Sequence, residues 1–174
     1  MRVRVVAHDP AWSVKAEQEA HRLQTALGEF VVAIHHIGST AIPSIYAKPI
    51  IDFLLEVDSI EILDEHAKYI EDLGYQSMGE YGIPGRRYFR KSNDQGIRTH
   101  HVHSFEEDHE EVFKHLVFRD YIIAHPEEAE AYGQLKHRLA IAHPDDIEAY
   151  VDGKDPFIKE SIARALAWHN TQES

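Results

Sequence analysis

Residues 50–57 read Ile50-Ile51-Asp52-Phe53-Leu54-Leu55-Glu56-Val57, and the acid at Asp52 limits what this chain can become more than any other single residue. The large and β-branched apolar residues around it predict a strand. An ionised carboxylate in such a run is costly unless it is paired or coordinates a metal. Aspartate is also disfavoured inside strands. Asp52 either has a task or lies on an exposed edge. The first reading is preferred, because large apolar residues flank it on both sides. Strand alternation places Asp52, Leu54 and Glu56 on one face. Glu56 stands at the strand's end, where a solvated acid needs no special explanation.

A second cluster is Arg98-Thr99-His100-His101-Val102-His103. In a strand, Thr99, His101 and His103 point to one side. Two imidazoles at this spacing suit a first-row metal, and a carboxylate from a neighbouring strand would complete a facial set. Proton transfer, or cationic contact with phosphate, are the alternatives. The chain contains 14 histidines, so one such pair also arises from composition alone. His35, His36, His66, His109, His115, His125, His137, His143 and His169 read mostly as surface or helix-end residues.

Gly38-Ser39 follows a predicted strand, and such a turn can hold a phosphate through its N–H groups. An isolated Gly-Ser pair is more often an ordinary turn. The bases Lys48, Arg86, Arg87, Arg90, Lys91, Arg98, Arg119 and Lys136 would mark an anion site if they met at one cleft. Arg119 reads equally well as an ion pair with Asp120 or a nearby glutamate. Tyr121, Tyr132, Tyr150, Phe157 and Trp168 read as core.

With 174 residues, a single domain over 1–174 is the expectation. There is no cysteine, which excludes disulfides, thiolate metal sites and cysteine nucleophiles. The net charge of −12 gives no electrostatic help on duplex DNA, so nucleic acid is not an expected partner. No run approaches the ~18 apolar residues of a membrane span, and the N-terminal residues show no signal-peptide pattern. The expected location is the cytoplasm. Phosphate-loop, dinucleotide-fold and nucleophile-elbow motifs are absent, which removes the usual support for those enzyme classes.

Local signals predict a helix from Asp9-Pro10 to Gly28, a strand at Phe30–Ile34, the strand at 50–57 and a helix capped by Asp58 or Ser59 and closed by Gly74. A short strand is expected at Tyr75–Met78, then a hairpin of Arg87–Lys91 and Ile97–His103. Helices are predicted at Glu106–Ala124, Pro126–Ala142, Pro144–Tyr150 and Pro156–Trp168. Ala124-His125-Pro126-Glu127-Glu128 and Ala142-His143-Pro144-Asp145-Asp146 look like one helix-start device used twice. The fold class is therefore α+β: an α/β core over 1–105, with a helical part over 106–174 packed on it.

Two blocks, His36-Ile37-Gly38-Ser39-Thr40-Ala41-Ile42-Pro43 and Ala47-Lys48-Pro49-Ile50-Ile51-Asp52, resemble the central signature of the GrpB family. His101-Val102-His103, Phe118-Arg119-Asp120-Tyr121-Ile122, Tyr132 with Leu135-Lys136, and Tyr150 with Lys154 extend the resemblance along almost the whole chain. The family is placed among nucleotidyltransferase-like proteins. The resemblance implies a small mixed β-sheet flanked by helices, with a helical C-terminal part. It matches Gly38 and Ser39 to the phosphate-holding turn and Asp52 to the first metal-binding acid. Two positions depart from the pattern. Leu54 stands where a second acid belongs, and Ser44 stands where the family usually has glycine.

The leading expectation is metal-dependent nucleotidyl transfer from a nucleoside triphosphate to an acceptor hydroxyl. The triphosphate would sit on Gly38, Ser39 and Thr40. Asp52, His101 and His103 would be the catalytic and metal-holding set. Lys48, Arg98 and Arg119 would neutralise phosphate charge. The cofactor is expected to be Mg²⁺ or Mn²⁺, with Zn²⁺ or Ni²⁺ as softer ions suited to imidazole. The expected partner is a nucleotide or phosphorylated small molecule. The alternatives are a non-catalytic module binding such a ligand, or a metal-dependent phosphoester hydrolase.

Overall fold

The computed structural model describes residues 3–172. In chain order the elements are α1 (Ala11–Leu27), β1 (Val31–Ile37), β2 (Ile51–Val57), α2 (Ile60–Asp72), β3 (Tyr75–Ser77), β4 (Arg87–Ser92), β5 (Arg98–Glu106), α3 (Glu110–Ala124), α4 (Pro126–Ala142) and α5 (Ile147–Gln172). The chain divides into two compact units that are discontinuous in sequence. A sheet unit holds Ala11–Gly38 and Ile50–Phe113. A helical unit holds, among the described residues, 3–10, Ser39–Pro49 and 114–172. The division therefore does not follow a single break near residue 105.

In the sheet unit, the strands lie in the order β1-β2-β5-β4-β3. β2 and β5 are parallel, and the remaining neighbours are antiparallel. Register decides which residues share a face. Asp52 lies opposite Ile37 and His101, and His101 lies opposite Arg90. Leu54 lies opposite His35 and His103, and His103 lies opposite Tyr88. The other face carries Phe53, Leu55, Val57, Val102 and Phe89, all buried, and α1 packs there through Glu19. Each large apolar side chain removed from water there contributes about 1.5–3 kcal/mol.

Helical spacing predicts an apolar stripe of Trp12, Ala16, Ala20, Leu23 and Leu27 on α1; all but Ala20, which is partly buried, are buried, together with one acid, Glu19. Glu19 is 1% exposed and accepts hydrogen bonds from the Tyr75 hydroxyl (2.5 Å), from Arg22 (2.9 Å) and from Lys91. Three donors offset the cost of burying that charge.

Several predicted boundaries move. β1 runs on through His35 and His36 to Ile37, because β2 pairs with it as far as Asp52. The helix expected from Glu106 starts at Glu110. Residues 104–106 belong to β5, where Glu106 pairs with Val57 and its carboxylate accepts the Ile60 N–H that opens α2 (3.1 Å).

In the helical unit, Ile42, Ile45, Val117, Tyr121, Ile122, Ala129, Tyr132 and Ala165 form a buried cluster, with Phe157 and Trp168 against it. The expected aromatics are thus core. The two similar helix starts work differently. Pro126 is the first residue of α4, as predicted, whereas Pro144 precedes α5 and Asp146 receives the Ala149 N–H (3.0 Å). The two helices expected either side of Pro156 are one, α5. Tyr150 before the proline and Ser161 and Ala165 after it are all buried, and tertiary packing overrides the helix-breaking tendency of proline. Ser44, at the usual glycine position, has φ +66°, the left-handed region that glycine enters without strain.

Candidate functional site

The parallel pairing of β2 with β5 sets Asp52 beside His101 and one residue pair from His103. Asp52 Oδ1 accepts hydrogen bonds from His101 Nδ1 (3.1 Å) and His103 Nε2 (3.4 Å). The far ring nitrogens meet guanidiniums: Arg98 Nη1 donates to His101 Nε2 (3.4 Å), and Arg86 Nη1 donates to His103 Nδ1 (3.3 Å). Arginine can only donate. Each far nitrogen therefore presents a lone pair, and each near nitrogen carries the proton aimed at Asp52. Burial pushes the Asp52 carboxyl up, but the hydrogen bonds from the two histidines outweigh it and hold the group well below the usual carboxylate range. Asp52 stays ionised at neutral pH.

Gly38 explains the turn beside this carboxylate. Its φ is +75°, and a Cβ added there would stand 2.7 Å from Asp52 Oδ2. Only glycine meets both requirements. The Asp52 side chain keeps 24% of its surface exposed, and those of His101 and His103 keep 22% and 18%, so the group is partly buried yet reachable from solvent.

The neighbouring strands complete the floor. Tyr88 stacks on His103 with ring centroids 5.3 Å apart, and the Arg86 guanidinium lies 5.0 Å from the Tyr88 centroid. Leu54 is fully buried, so the second acid is missing. Glu56 shares the face but is bonded to His35. His100 alternates to the opposite face beside Phe53, where burial lowers it to about 4 and keeps it neutral.

Among the described residues, Asp52, His101 and His103 form a group whose donor atoms all lie within 4.8 Å of one another. One carboxylate oxygen and two imidazole nitrogens make a chemically suitable set for one divalent cation. Coordination by the near nitrogens would move each ring proton to the far nitrogen, and the Arg86 and Arg98 N–H groups would have to turn away. With Leu54 beside Asp52, no second acid on β2 bridges two ions.

The structure thus brings together Gly38, Asp52, Arg98, His101 and His103. Ser39, Thr40, Lys48 and Arg119 fall in the helical unit. There, Ser39–Ala41 is a 3₁₀ turn with Thr40 buried, Lys48 Nζ lies 4.6 Å from the Tyr150 ring centroid, and Arg119 pairs with Asp120 at 2.9 Å. The roles of Arg86 and Tyr88 were not legible in sequence. The available signal was alternation along β4, which puts Tyr88 and Arg90 on one face once the hairpin with β5 is in register.

The fold is similar to that of a solved nucleotidyltransferase. The structure resembles terminal uridylyl transferase 4 from Trypanosoma brucei with a TM-score of 0.55 at 10% identity, covering 94% of this chain and 56% of that one, a likeness of fold alone. The GrpB protein family model matches residues 2–164, and the chain belongs to the GrpB family. The crystal structure of the conserved protein GrpB from Enterococcus faecalis matches with a TM-score of 0.91 and 45% identity, over 95% of this chain and 99% of that one. The UPF0157 protein YqkA of Bacillus subtilis is 44% identical over 167 residues, which is 96% of this chain and 48% of YqkA. The chain thus spans about half the length of that relative. Among the described residues, no helix is long and apolar enough to cross a membrane.

Proposed function

We propose that the chain binds a nucleoside triphosphate at Asp52, His101 and His103 with one divalent cation and transfers its nucleotidyl group to a hydroxyl. The observation that carries this reading is the convergence of the three donors on one sheet face beside Gly38. A divalent cation held there supplies charge neutralisation on phosphate oxygens and polarises the phosphorus. Asp52 contributes a full negative charge, kept ionised by its two imidazole partners. Those imidazoles are directed toward it from β5, and Arg86 and Arg98 supply positive charge at the rim for phosphate oxygens. Gly38 leaves space for close approach to the carboxylate. In the reaction the acceptor oxygen bonds to the α-phosphorus. The bond from that phosphorus to the β-phosphate oxygen breaks, pyrophosphate departs with the electron pair, and the hydroxyl proton passes to water.

Calorimetry with each common nucleoside triphosphate, with and without Mn²⁺, tests the reading. Binding that needs both Mn²⁺ and Asp52, and is lost in Asp52→Asn, is the expected result. Binding unchanged by either would refute it. The buried Leu54 favours a second reading, a nucleotide-binding module without turnover. An α-phosphate-labelled nucleotide incubated with a small-molecule extract separates the two. A labelled product with matching pyrophosphate marks transfer, and unaltered nucleotide marks binding alone.

A further inference from the structure

The β3–β4 connection carries an aromatic side chain that the core does not use. Tyr81 is 57% exposed, and its backbone has φ +48°, a left-handed conformation that disfavours any residue with a Cβ. The loop is nonetheless pinned. The Glu80 carboxylate accepts the Gly85 N–H (2.7 Å), and buried Arg86 donates to the carbonyls of Glu80 (3.0 Å) and Tyr81 (2.7 Å). That same guanidinium donates to His103 Nδ1 (3.3 Å). One side chain therefore ties the loop bearing Tyr81 to the ring that faces Asp52.

The rings form a continuous stack. Tyr81 lies on Tyr88 with centroids 5.3 Å apart and planes 18° apart, and Tyr88 lies on His103 at 5.3 Å and 26°. The Arg90 guanidinium stands 5.8 Å from the Tyr81 centroid. In a chain of net charge −12, Arg86, Arg90 and Arg98 gather on the site's side of the sheet. The outer end of the stack is thus an exposed ring with a guanidinium over it, two ring contacts from the imidazole that faces the carboxylate. Such a platform suits an anionic ligand that also carries a flat ring.

We propose that Tyr81 is the stacking platform for the heteroaromatic ring of the phosphorylated ligand, a nucleoside base. The proposal rests on the reading that phosphates bind at Asp52, His101 and His103. Stacking uses the ring's face and not its hydrogen-bonding edges, so purine and pyrimidine nucleotides should both bind, purines more tightly.

The test is calorimetric titration, in the presence of Mn²⁺, of nucleoside triphosphates and of inorganic tripolyphosphate, which has no ring. Wild type is compared with Tyr81→Gly, Tyr81→Phe and Tyr81→Trp. Glycine adopts the local backbone without strain, so that variant should keep its fold; its melting temperature is recorded alongside. Removing the ring should weaken nucleotide binding about tenfold, the loss expected for one stacked base, and leave tripolyphosphate binding unchanged. Phe and Trp should retain nucleotide affinity. Equal loss for both ligands, or no loss for either, would overturn the platform. Wild type that binds tripolyphosphate as tightly as nucleotides would also overturn it while leaving the phosphate site standing. Wild type that binds neither would overturn the platform and the proposed function together.

Discussion

Gly38→Ala is the perturbation that most sharply tests how the site is built. Two costs act at this position. The first is conformational: at φ +75° an alanine pays for a left-handed backbone, about 1–2 kcal/mol. The second is steric. The new Cβ would stand 2.7 Å from Asp52 Oδ2 and 3.1 Å from Asp52 Cβ, so the carboxylate must move. Movement weakens the hydrogen bonds from His101 and His103, and bonds to a charged group contribute about 1.5–3 kcal/mol each. The sum is a loss of about 2.5–5 kcal/mol if the displacement is equivalent to losing one such bond. Gly28→Ala is the control: its φ is +90°, but nothing lies within 4 Å of the added carbon, so only the backbone cost applies. Urea denaturation of both variants measures the difference. For a chain of this length each 1 kcal/mol is also worth about 2–4 °C in melting temperature. Mn²⁺ calorimetry should show loss of affinity in Gly38→Ala and none in Gly28→Ala. Equal destabilisation in the two variants, with equal metal binding, would refute the close-approach argument.

Glu19 gives a pH prediction. Burial raises its carboxyl, but Lys91, Tyr75 and Arg22 outweigh this and hold it below its ordinary value of 4.5. A lowered folded value contributes stability that is complete above the unfolded value and is lost as pH falls from there through the folded one. Stability of Glu19→Gln should therefore fall less steeply with acid over that range than that of wild type; parallel curves would contradict the assignment. Arg98→Met should strengthen Mn²⁺ binding by the worth of about one hydrogen bond, ~1 kcal/mol, because no Arg98 N–H then has to turn away from His101; an unchanged affinity in calorimetry would refute that contact as a competitor of the metal. Ser44→Gly should stabilise the fold by about 1 kcal/mol, since glycine adopts the φ of +66° freely, and a loss of stability in thermal melts would show that the serine side chain matters more.

Part of the site was legible because burial makes acids conspicuous. Asp52 stood out from its apolar neighbours through the cost of desolvation, and the two-residue strand period put His101 and His103 on one side. The resemblance supplied Gly38, and the structure gives the physical reason, a carboxylate oxygen where a Cβ would go. The parallel pairing that joins Asp52 to His101 was not legible, because it depends on β5 returning to β2 after α2, β3 and β4. Tyr81 was unreadable, and Arg86 stood out only as one of eight bases, for a related reason: their contacts depend on the path of one irregular loop. Local signals also misplaced the end of β5, where Glu106 serves a partner 46 residues away in sequence. At Pro156, local chemistry argued for a break and tertiary packing kept the helix. The buried acid Glu19 looked like an ordinary exposed helical residue until Tyr75 and Lys91 were brought to it.

The most direct test of the central claim is paramagnetic broadening of imidazole resonances by Mn²⁺, with His101→Gln and His103→Gln used to assign the signals. Sub-stoichiometric Mn²⁺ should broaden the His101 and His103 signals before those of His35 and His66, Asp52→Asn should abolish the effect, and added nucleoside triphosphate should sharpen the preference. Uniform broadening of all histidines, or selective broadening that survives Asp52→Asn, would contradict a cation site built on Asp52, His101 and His103.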